Sequence, residues 1–575
     1  MKRFLLVMLV ALVAVAAMAQ VEPEYRIDPY EGKPGGTLYL GSIGTGPRTF
    51  NPFVAQETSS TDITDLMHGT LFSSDNTGMP TIPALATEWW FSEDGRTVYF
   101  RVREGLKWSD GHPFTIEDVR WTFEDLRFIN EFTRNGNATY KDAEGFLPEV
   151  EVDGNVISFT WTEPNVWSFR AIGWGQIMPK HVLDPYVQAG NPIEAWTLAD
   201  WDKIVGMGPF VIENFIEGVR TVMRKNPHYW VFDEAGNRLP YIDRINYEVV
   251  GSQDVMLLKF EAGELDMMGP RAADWPRVVE QAEDKGWVYG VGGPGLGSDF
   301  ITFNLGHPDP AKRSWFRNPN FRRAIQYMMD KESIIDTLFN GLGTAIYGPV
   351  SPSSGFFNPE ILEAYPYRYS ITRARLELRR GGFDWDAQGR LIDSQGRRVE
   401  FDLSTNAGNI TRETIAAILV DGASKLGMRV NYAPADFNLL VGKLLGPDYD
   451  AVLIGLTGSV DPGSGWNVWR MDGGLHAFNY PPEYNPDVID PDIYEAFDWE
   501  KRIHEIFVRS VGEVDEQARW DLFAEFQMIV AEYQPYVYTI TQNYLYVHKD
   551  SVHLANPLPN PAAGMLWQIH GIWKD

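Results

Sequence analysis

Residues 71–119 read LFSSDNTGMPTIPALATEWWFSEDGRTVYFRVREGLKWSDGHPFTIEDV, and this stretch decides the fold. A turn at Glu93–Gly95 precedes a segment in which Val98, Phe100 and Val102 alternate with more polar residues. Alternation with a period of two places the three apolar side chains on one face of a β-strand. The stretch therefore predicts a scaffold, and it contains no pattern typical of a catalytic centre.

Two local patterns extend this prediction. Thr115 followed three residues later by Asp118 resembles a capping box, which predicts a helix over residues 116–128. Asp153-Gly154 lies between flanks in which apolar and polar residues alternate, which predicts a β-hairpin. We therefore expect one compact unit over residues 85–205.

The N-terminus has the parts of a secretory signal peptide. Lys2 and Arg3 are basic, residues 4–16 form an apolar run, and Ala17-Met18-Ala19 supplies the small residues of a cleavage site. The run is shorter than the roughly 20 apolar residues that a membrane-spanning helix needs. Because the chain has no cysteine, neither a lipid-modified cysteine nor a disulfide can form. We expect cleavage after Ala19 and export to the periplasm or the extracellular space, as a protein that is not a lipoprotein.

The chain is strongly acidic. It has 50 Lys and Arg against 78 Asp and Glu, a formal net charge of −28 at pH 7, and removal of the signal peptide makes the charge more negative. Such a surface repels phosphate backbones, so the composition disfavours a nucleic-acid partner. The acidity by itself indicates solubility and does not identify a cationic ligand.

Further landmarks follow in the order known from one protein family. They are Gly206–Phe215, Arg224–Trp230, Leu239–Ile245, Ala262–Asp266 and Phe321–Asp330. Together with residues 71–119 they resemble the extracellular solute-binding proteins of family 5, the oligopeptide, dipeptide and nickel class that serves ABC importers. The resemblance covers nearly the whole chain after the signal peptide.

The resemblance implies an α/β fold: a two-lobed periplasmic binding protein of type II with mixed sheets, an extra inserted subdomain and a hinge between the lobes. The glycine-rich residues 290–298 have the composition of a linker or hinge, and we place a lobe boundary there. The expected parts are a signal peptide (1–19), a discontinuous lobe I (20–88, 206–290 and 536–575), a subdomain inserted in it (89–205) and lobe II (291–535).

Motifs of enzymes and metal sites are missing from the sequence. There is no His-Glu-x-x-His pattern and no Gly-x-Ser-x-Gly elbow, so we expect no metal, no cofactor and no catalysis. A pair of glycosidase carboxylates is defined by its separation in space, so a secreted glycoside hydrolase remains an alternative function.

The segment 455–469, GLTGSVDPGSGWNVW, is the strongest candidate for ligand binding. Trp466 and Trp469 offer flat apolar faces, while Asn467 and Asp461 offer hydrogen-bonding groups, the combination that a sugar ring needs. The alternative is that the two tryptophans only pack the segment against its lobe.

The resemblance also bears on the class of ligand. Peptide-binding members hold the ligand's amino group with an aspartate shortly before an Asp-Pro pair, and Ser459 aligns with that aspartate here. An alignment shifted by two residues would give that role to Asp461. Some members from thermophiles take β-linked oligosaccharides, and the Trp-Asn-Val-Trp segment is more similar to theirs. We therefore expect an oligosaccharide before an oligopeptide.

Other candidate ligand contacts lie outside this segment. Trp174 could line the cleft from the subdomain, and Thr45, Asn51 and Glu57 lie in loops after the first strand. The resemblance implies a monomeric receptor that captures its ligand between the lobes and delivers it to the membrane permease of an ABC importer. A peptide-sensing or chaperone-like role on the same fold is a further alternative.

Overall fold

The computed structural model describes residues 22–55, 58–132, 137–142, 144–486 and 489–575. The predicted signal peptide and the candidate Glu57 lie outside these residues. None of the helices in the described ranges combines the length and apolar character that a membrane crossing needs.

The first lobe is built on a mixed four-stranded sheet. Its strands, in spatial order, are Thr37–Ile43, Arg244–Val250, Arg220–Lys225 and Phe210–Ile216. The first two run parallel and the other pairs run antiparallel. Ile245 and Tyr247 are buried from one face, as their alternation requires. Helices around this sheet are Thr58–Met67, Gln253–Glu261 and Trp275–Lys285.

The inserted subdomain has its own antiparallel sheet. The strand order is Ala86–Phe91, Thr97–Val102, Val156–Thr160 and Glu149–Asp153. Val98, Phe100 and Val102 are at most 1% exposed, which confirms the predicted alternation. The predicted hairpin also forms, with Gly154 at φ +61° in its turn.

Helices cover this sheet. The predicted helix begins at Ile116, where the Thr115 backbone N–H donates to Asp118 Oδ2 at 2.9 Å, and it continues from Thr122 to Arg127 with π-helical geometry. The other two helices of the subdomain are Val166–Gly173 and Lys180–Gln188.

The second lobe has a five-stranded sheet in the order Arg429–Ala435, Glu400–Asn406, Ala451–Leu456, Ser298–Phe303 and Tyr536–Tyr538. The first three strands are parallel, and Ser298–Phe303 runs antiparallel to both of its neighbours. The α-helices in the described part of this lobe are Pro310–Arg317, Pro319–Met328, Lys331–Phe339, Glu360–Ala364, Ile371–Arg380, Ile410–Lys425, Phe437–Leu445, Trp466–Trp469, Asp498–Gly512 and Glu516–Tyr533.

Two strands connect the lobes. Trp287–Pro294 pairs antiparallel with Ile540–Lys549, and each leads within a few residues to a strand of the second-lobe sheet. Residues 290–294 of the predicted linker belong to the first of these strands, and residues 295–297 follow it as a loop. Gly290 is needed for packing rather than flexibility, because a Cβ there would lie 2.3 Å from the Tyr546 hydroxyl. The molecule is thus a two-lobed α/β protein, and the residue boundaries of its parts stay a prediction.

Candidate functional site

An open cavity of about 570 Å³ lies at one edge of the second-lobe sheet. The parallel strands Glu400–Asn406 and Ala451–Leu456 end there, and helix Ile410–Lys425 begins there. Ligands of open α/β sheets bind outside the carboxyl ends of the strands. The cavity is lined by residues 297–299, 455–458 and 540–542, together with Phe339, Asn409, Thr411 and Arg412.

Arg412 fixes the shape of this edge. Its Nε donates to Asp299 Oδ1 at 2.8 Å, and its Nη1 donates to Asn406 Oδ1 at 2.8 Å. Gly455 allows this contact, because a Cβ there would lie 2.3 Å from Asp299 Oδ1. One guanidinium group therefore joins the start of the strand Ser298–Phe303 to the end of the strand Glu400–Asn406.

The segment after the strand Ala451–Leu456 forms the wall of a second, smaller cavity. This cavity has a volume of about 100 Å³ and also includes Tyr538 and Ser459 in its lining. Ser459 is exposed, and its hydroxyl accepts a hydrogen bond from the Asp461 backbone N–H at 3.3 Å. The residue that aligns with the amine-binding aspartate is thus a neutral hydroxyl at the protein surface.

Asp461 lies at the centre of a buried ionic cluster. Its Oδ2 and Oδ1 each accept a hydrogen bond from Arg519 at 2.8 Å, and Oδ1 also accepts from the Gly463 backbone N–H at 2.8 Å. Arg170, from the subdomain helix, contacts Oδ2. With 1% exposure, Asp461 is occupied by partners from both the subdomain and the second lobe.

Both arginines of this cluster carry perturbed pKa values. Burial, followed by the charge of Arg519, lowers the pKa of Arg170 to about 9, and burial lowers the pKa of Arg519 to about 10. Both groups therefore remain protonated at neutral pH, so two cations share one buried carboxylate.

The two candidate tryptophans differ in their surroundings. Trp469 is 5% exposed, and its ring packs edge-on against Phe526 and Tyr536 at 4.8 and 5.3 Å between centroids. The ring is therefore packed into the core and reaches only the wall of the small cavity of about 100 Å³. Trp466 is half-buried and lines a separate cavity of about 280 Å³ between the subdomain and the second lobe.

Two further candidates form hydrogen bonds to backbone groups within the fold. Asn51 is 1% exposed and donates to the carbonyls of Pro192 and Ala195 at 3.0 and 2.9 Å. Its own oxygen accepts from the Phe53 backbone N–H, so the amide holds two loops together. Asn467 Oδ1 accepts from the Gly474 backbone N–H at 2.7 Å.

Thr45 and Trp174 remain available for contact with a ligand. Thr45 is exposed in the loop after the first strand. Trp174 is half-buried and lines a pocket of about 370 Å³ on the first lobe. That pocket also contains Trp567 and Asp65, which the sequence analysis missed because neither belongs to a recognisable motif.

In the part of the chain that the structure describes, no three His, Asp or Glu side chains gather closely enough to hold a metal ion. The cavities described above are lined by aromatic faces, hydroxyls, amides and backbone groups, together with charged side chains such as Arg412 and Asp65. Such groups can bind and orient a polar solute.

Comparison with known proteins identifies relatives over most of the chain. The profile of bacterial extracellular solute-binding proteins, family 5 (middle), matches residues 81–474. A probable ABC transporter-binding protein of Deinococcus radiodurans is 29% identical over 95% of this chain and 94% of its own length.

Two other relatives differ in the ligand that their names state. The oligopeptide-binding protein AppA of Bacillus subtilis is 26% identical, over 75% of this chain and 76% of its own. A periplasmic alpha-galactoside-binding protein of Rhizobium meliloti is 28% identical, over 63% of this chain and 55% of its own.

Solved structures show the same fold. An oligopeptide-binding protein OppA matches with a TM-score of 0.77 and 20% identity over 99% of this chain and 96% of the other. The periplasmic binding protein MelB of Agrobacterium fabrum, in complex with stachyose, matches with a TM-score of 0.70 and 22% identity over 95% and 86%.

Proposed function

Because the chain belongs to the bacterial extracellular solute-binding proteins of family 5, we propose that it is the receptor of an ABC importer that captures an oligosaccharide between its lobes and delivers it to a membrane permease. It is exported by a signal peptide cleaved after Ala19, acts as a monomer and catalyses no reaction.

The burial and ion pairing of the Asp461 carboxylate are the observation that favours a sugar ligand over a peptide. A receptor for peptides needs a free carboxylate for the ligand's amino group, and Asp461 is buried between Arg519 and Arg170. Removing a carboxylate from such a cluster to serve a ligand would leave buried cations without a partner, which is strongly unfavourable. The aligned position carries the neutral Ser459, so the site favours hydroxyl-bearing ligands over amines.

The receptor holds its ligand by closing the two lobes around it. A two-lobed receptor shifts from an open to a closed state by the difference in ligand affinity between the two states. The two connecting strands, Trp287–Pro294 and Ile540–Lys549, are the covalent links about which such a movement occurs.

The test is a thermal unfolding panel on the mature protein. The ligands are raffinose and stachyose, the cello-, manno- and xylo-oligosaccharides, and di- to pentapeptides. A ligand at about 100 times its Kd adds roughly 2.7 kcal/mol of stability. We expect stabilisation by one sugar series, whereas stabilisation by peptides alone would overturn the proposed ligand class.

The same sugars distinguish a receptor from a hydrolase. After prolonged incubation with the protein, chromatography of the oligosaccharide should show an unchanged chain length. Shortened products that grow with time would overturn the receptor proposal.

A further inference from the structure

Three tryptophans line the pocket of about 370 Å³ on the first lobe, and two of them, Trp174 and Trp567, are fixed by one residue. Trp174 Nε1 donates to the Ser74 hydroxyl at 3.1 Å, and Trp567 Nε1 donates to the Ser74 carbonyl at 3.0 Å. Both indole N–H groups are therefore satisfied, while both rings remain only half-buried. Phe72 packs edge-on against Trp174 at 5.7 Å between centroids, which limits its movement.

Polar groups accompany the two rings. Asp65, exposed in the pocket wall, accepts a hydrogen bond at Oδ1 from Gln176 Nε2 at 2.7 Å. Gln568 Nε2 donates to the Ser73 hydroxyl at 3.1 Å. The pocket thus places carboxylate and amide groups beside aromatic faces.

The backbone of Gln568 is strained. Its φ is +48°, a conformation that costs a residue other than glycine or asparagine roughly 1 kcal/mol or more, and strained residues of this kind cluster at functional sites.

The pocket lies beside a contact between the lobes. The chain continues from Ser74 into a turn at Gly78, where a Cβ would lie 2.9 Å from the Val460 side chain. Val460 belongs to the same loop as Ser459. Met79, the next residue, packs against the apolar core of the second lobe. The pocket therefore lies close in the fold to the second-lobe loop that carries Ser459.

We propose that this pocket, which we name the Trp174–Trp567 pocket, is a subsite that binds one pyranose ring of the oligosaccharide. The apolar face of the ring stacks on the indoles, and its hydroxyl groups bond to Asp65 and the two glutamine amides. The proposal rests on the proposed function, since it assigns a subsite of the same receptor to the same class of ligand.

The test measures Kd by calorimetry for the full mature protein with stachyose and with cellotetraose. Trp567→Ala and Trp174→Ala should each weaken binding of the sugar that the wild type binds by about ten- to a hundredfold. Asp65→Asn keeps the shape of the side chain and the contact to Gln176, and it should weaken binding by about tenfold. Trp90→Ala is the matched control, because Trp90 stacks on Tyr99 in the subdomain sheet, outside the pocket, and it should leave Kd unchanged.

The outcomes separate the two proposals. If the wild type binds neither these two sugars nor any other sugar of the thermal unfolding panel, the proposed ligand class fails, and the subsite fails with it. If the wild type binds a sugar and the pocket variants bind as tightly as Trp90→Ala, the subsite alone is overturned. Should Trp174→Ala lower the melting temperature strongly, Asp65→Asn and Trp567→Ala decide the result, because both positions lie at the accessible wall of the pocket.

Discussion

At the scale of single residues, Asp461 shows how burial changes what a carboxylate can do. An exposed aspartate at this position could bind an amine, but here both oxygens accept from Arg519, and Arg170 approaches from the subdomain. Asp461 also holds the turn that begins at Pro462, because its Oδ1 accepts a hydrogen bond from the Gly463 backbone N–H. Its role is therefore to organise the binding loop.

Replacing Asp461 by Asn should destabilise the protein strongly. The variant leaves two buried guanidinium groups without a counter-charge, a loss of about 3–5 kcal/mol by analogy with other buried pairs. Denaturant unfolding measures this loss. Asp472→Asn is the control, because Asp472 pairs with Arg470 at an exposed site and should cost less than about 1 kcal/mol. Equal effects of the two variants would contradict the structural role of Asp461.

Replacing Ser459 by Asp should give the protein affinity for peptides. Ser459 is exposed beside the small cavity, so a carboxylate there remains solvated and free to pair with an amino group. Calorimetry with di- and tripeptides should detect binding by Ser459→Asp and little or none by the wild type. Ser464→Asp, at another exposed residue of the same cavity lining, is the control. No gain in the Ser459 variant would contradict the alignment.

At the scale of elements, the short helix Trp466–Trp469 has one tryptophan in the core and one at a cavity. Trp469→Ala should cost about 3–5 kcal/mol of unfolding free energy, because it removes a buried ring. Trp466→Ala should cost much less, since that ring is already half-buried. Urea unfolding of the two variants measures the difference. Equal stabilities would contradict the assigned packing of Trp469.

The elements could be predicted from the sequence where their signal is local. The alternation of Val98, Phe100 and Val102 depends only on neighbours in sequence, and so does the capping box at Thr115. The partner of Asp461 could not be predicted, because Arg519 is 58 residues away in sequence and only the tertiary fold brings the two together. The packing of Gly290 could not be predicted either, because the Tyr546 side chain that leaves no room for a Cβ there comes from a strand far along the sequence.

The candidate site was predicted in part for the same reason. The loop 455–459 follows a buried strand that the sequence identifies, and the structure places it at a cavity. The sequence does not reveal whether the amide of Asn51 contacts a ligand or donates to two backbone carbonyls, as it does here. Trp567 belongs to no helical or strand pattern of apolar residues in the sequence. Only its contact with Ser74 in the folded chain reveals the pocket on the first lobe.

At the scale of the whole molecule, the contact of Arg170 with Asp461 joins the subdomain to the second lobe. Arg170→Met removes this contact but leaves the Asp461–Arg519 pair intact, so the lobes should remain folded while the molecule opens. Small-angle scattering without ligand should show a larger radius of gyration than for the wild type. Arg101→Met, at an exposed pair with Glu88, is the control. An unchanged radius of gyration would contradict the role of Arg170 in closure.

The central claim is that the cleft takes an oligosaccharide and not a peptide. The most direct measurement is calorimetric titration of the mature wild-type protein with each tetrasaccharide and, separately, with a pentapeptide at the same concentration. We expect saturable binding of one sugar with a stoichiometry of one and no heat of binding with the peptide. Saturable binding of the pentapeptide, with none of the sugars bound, would contradict it.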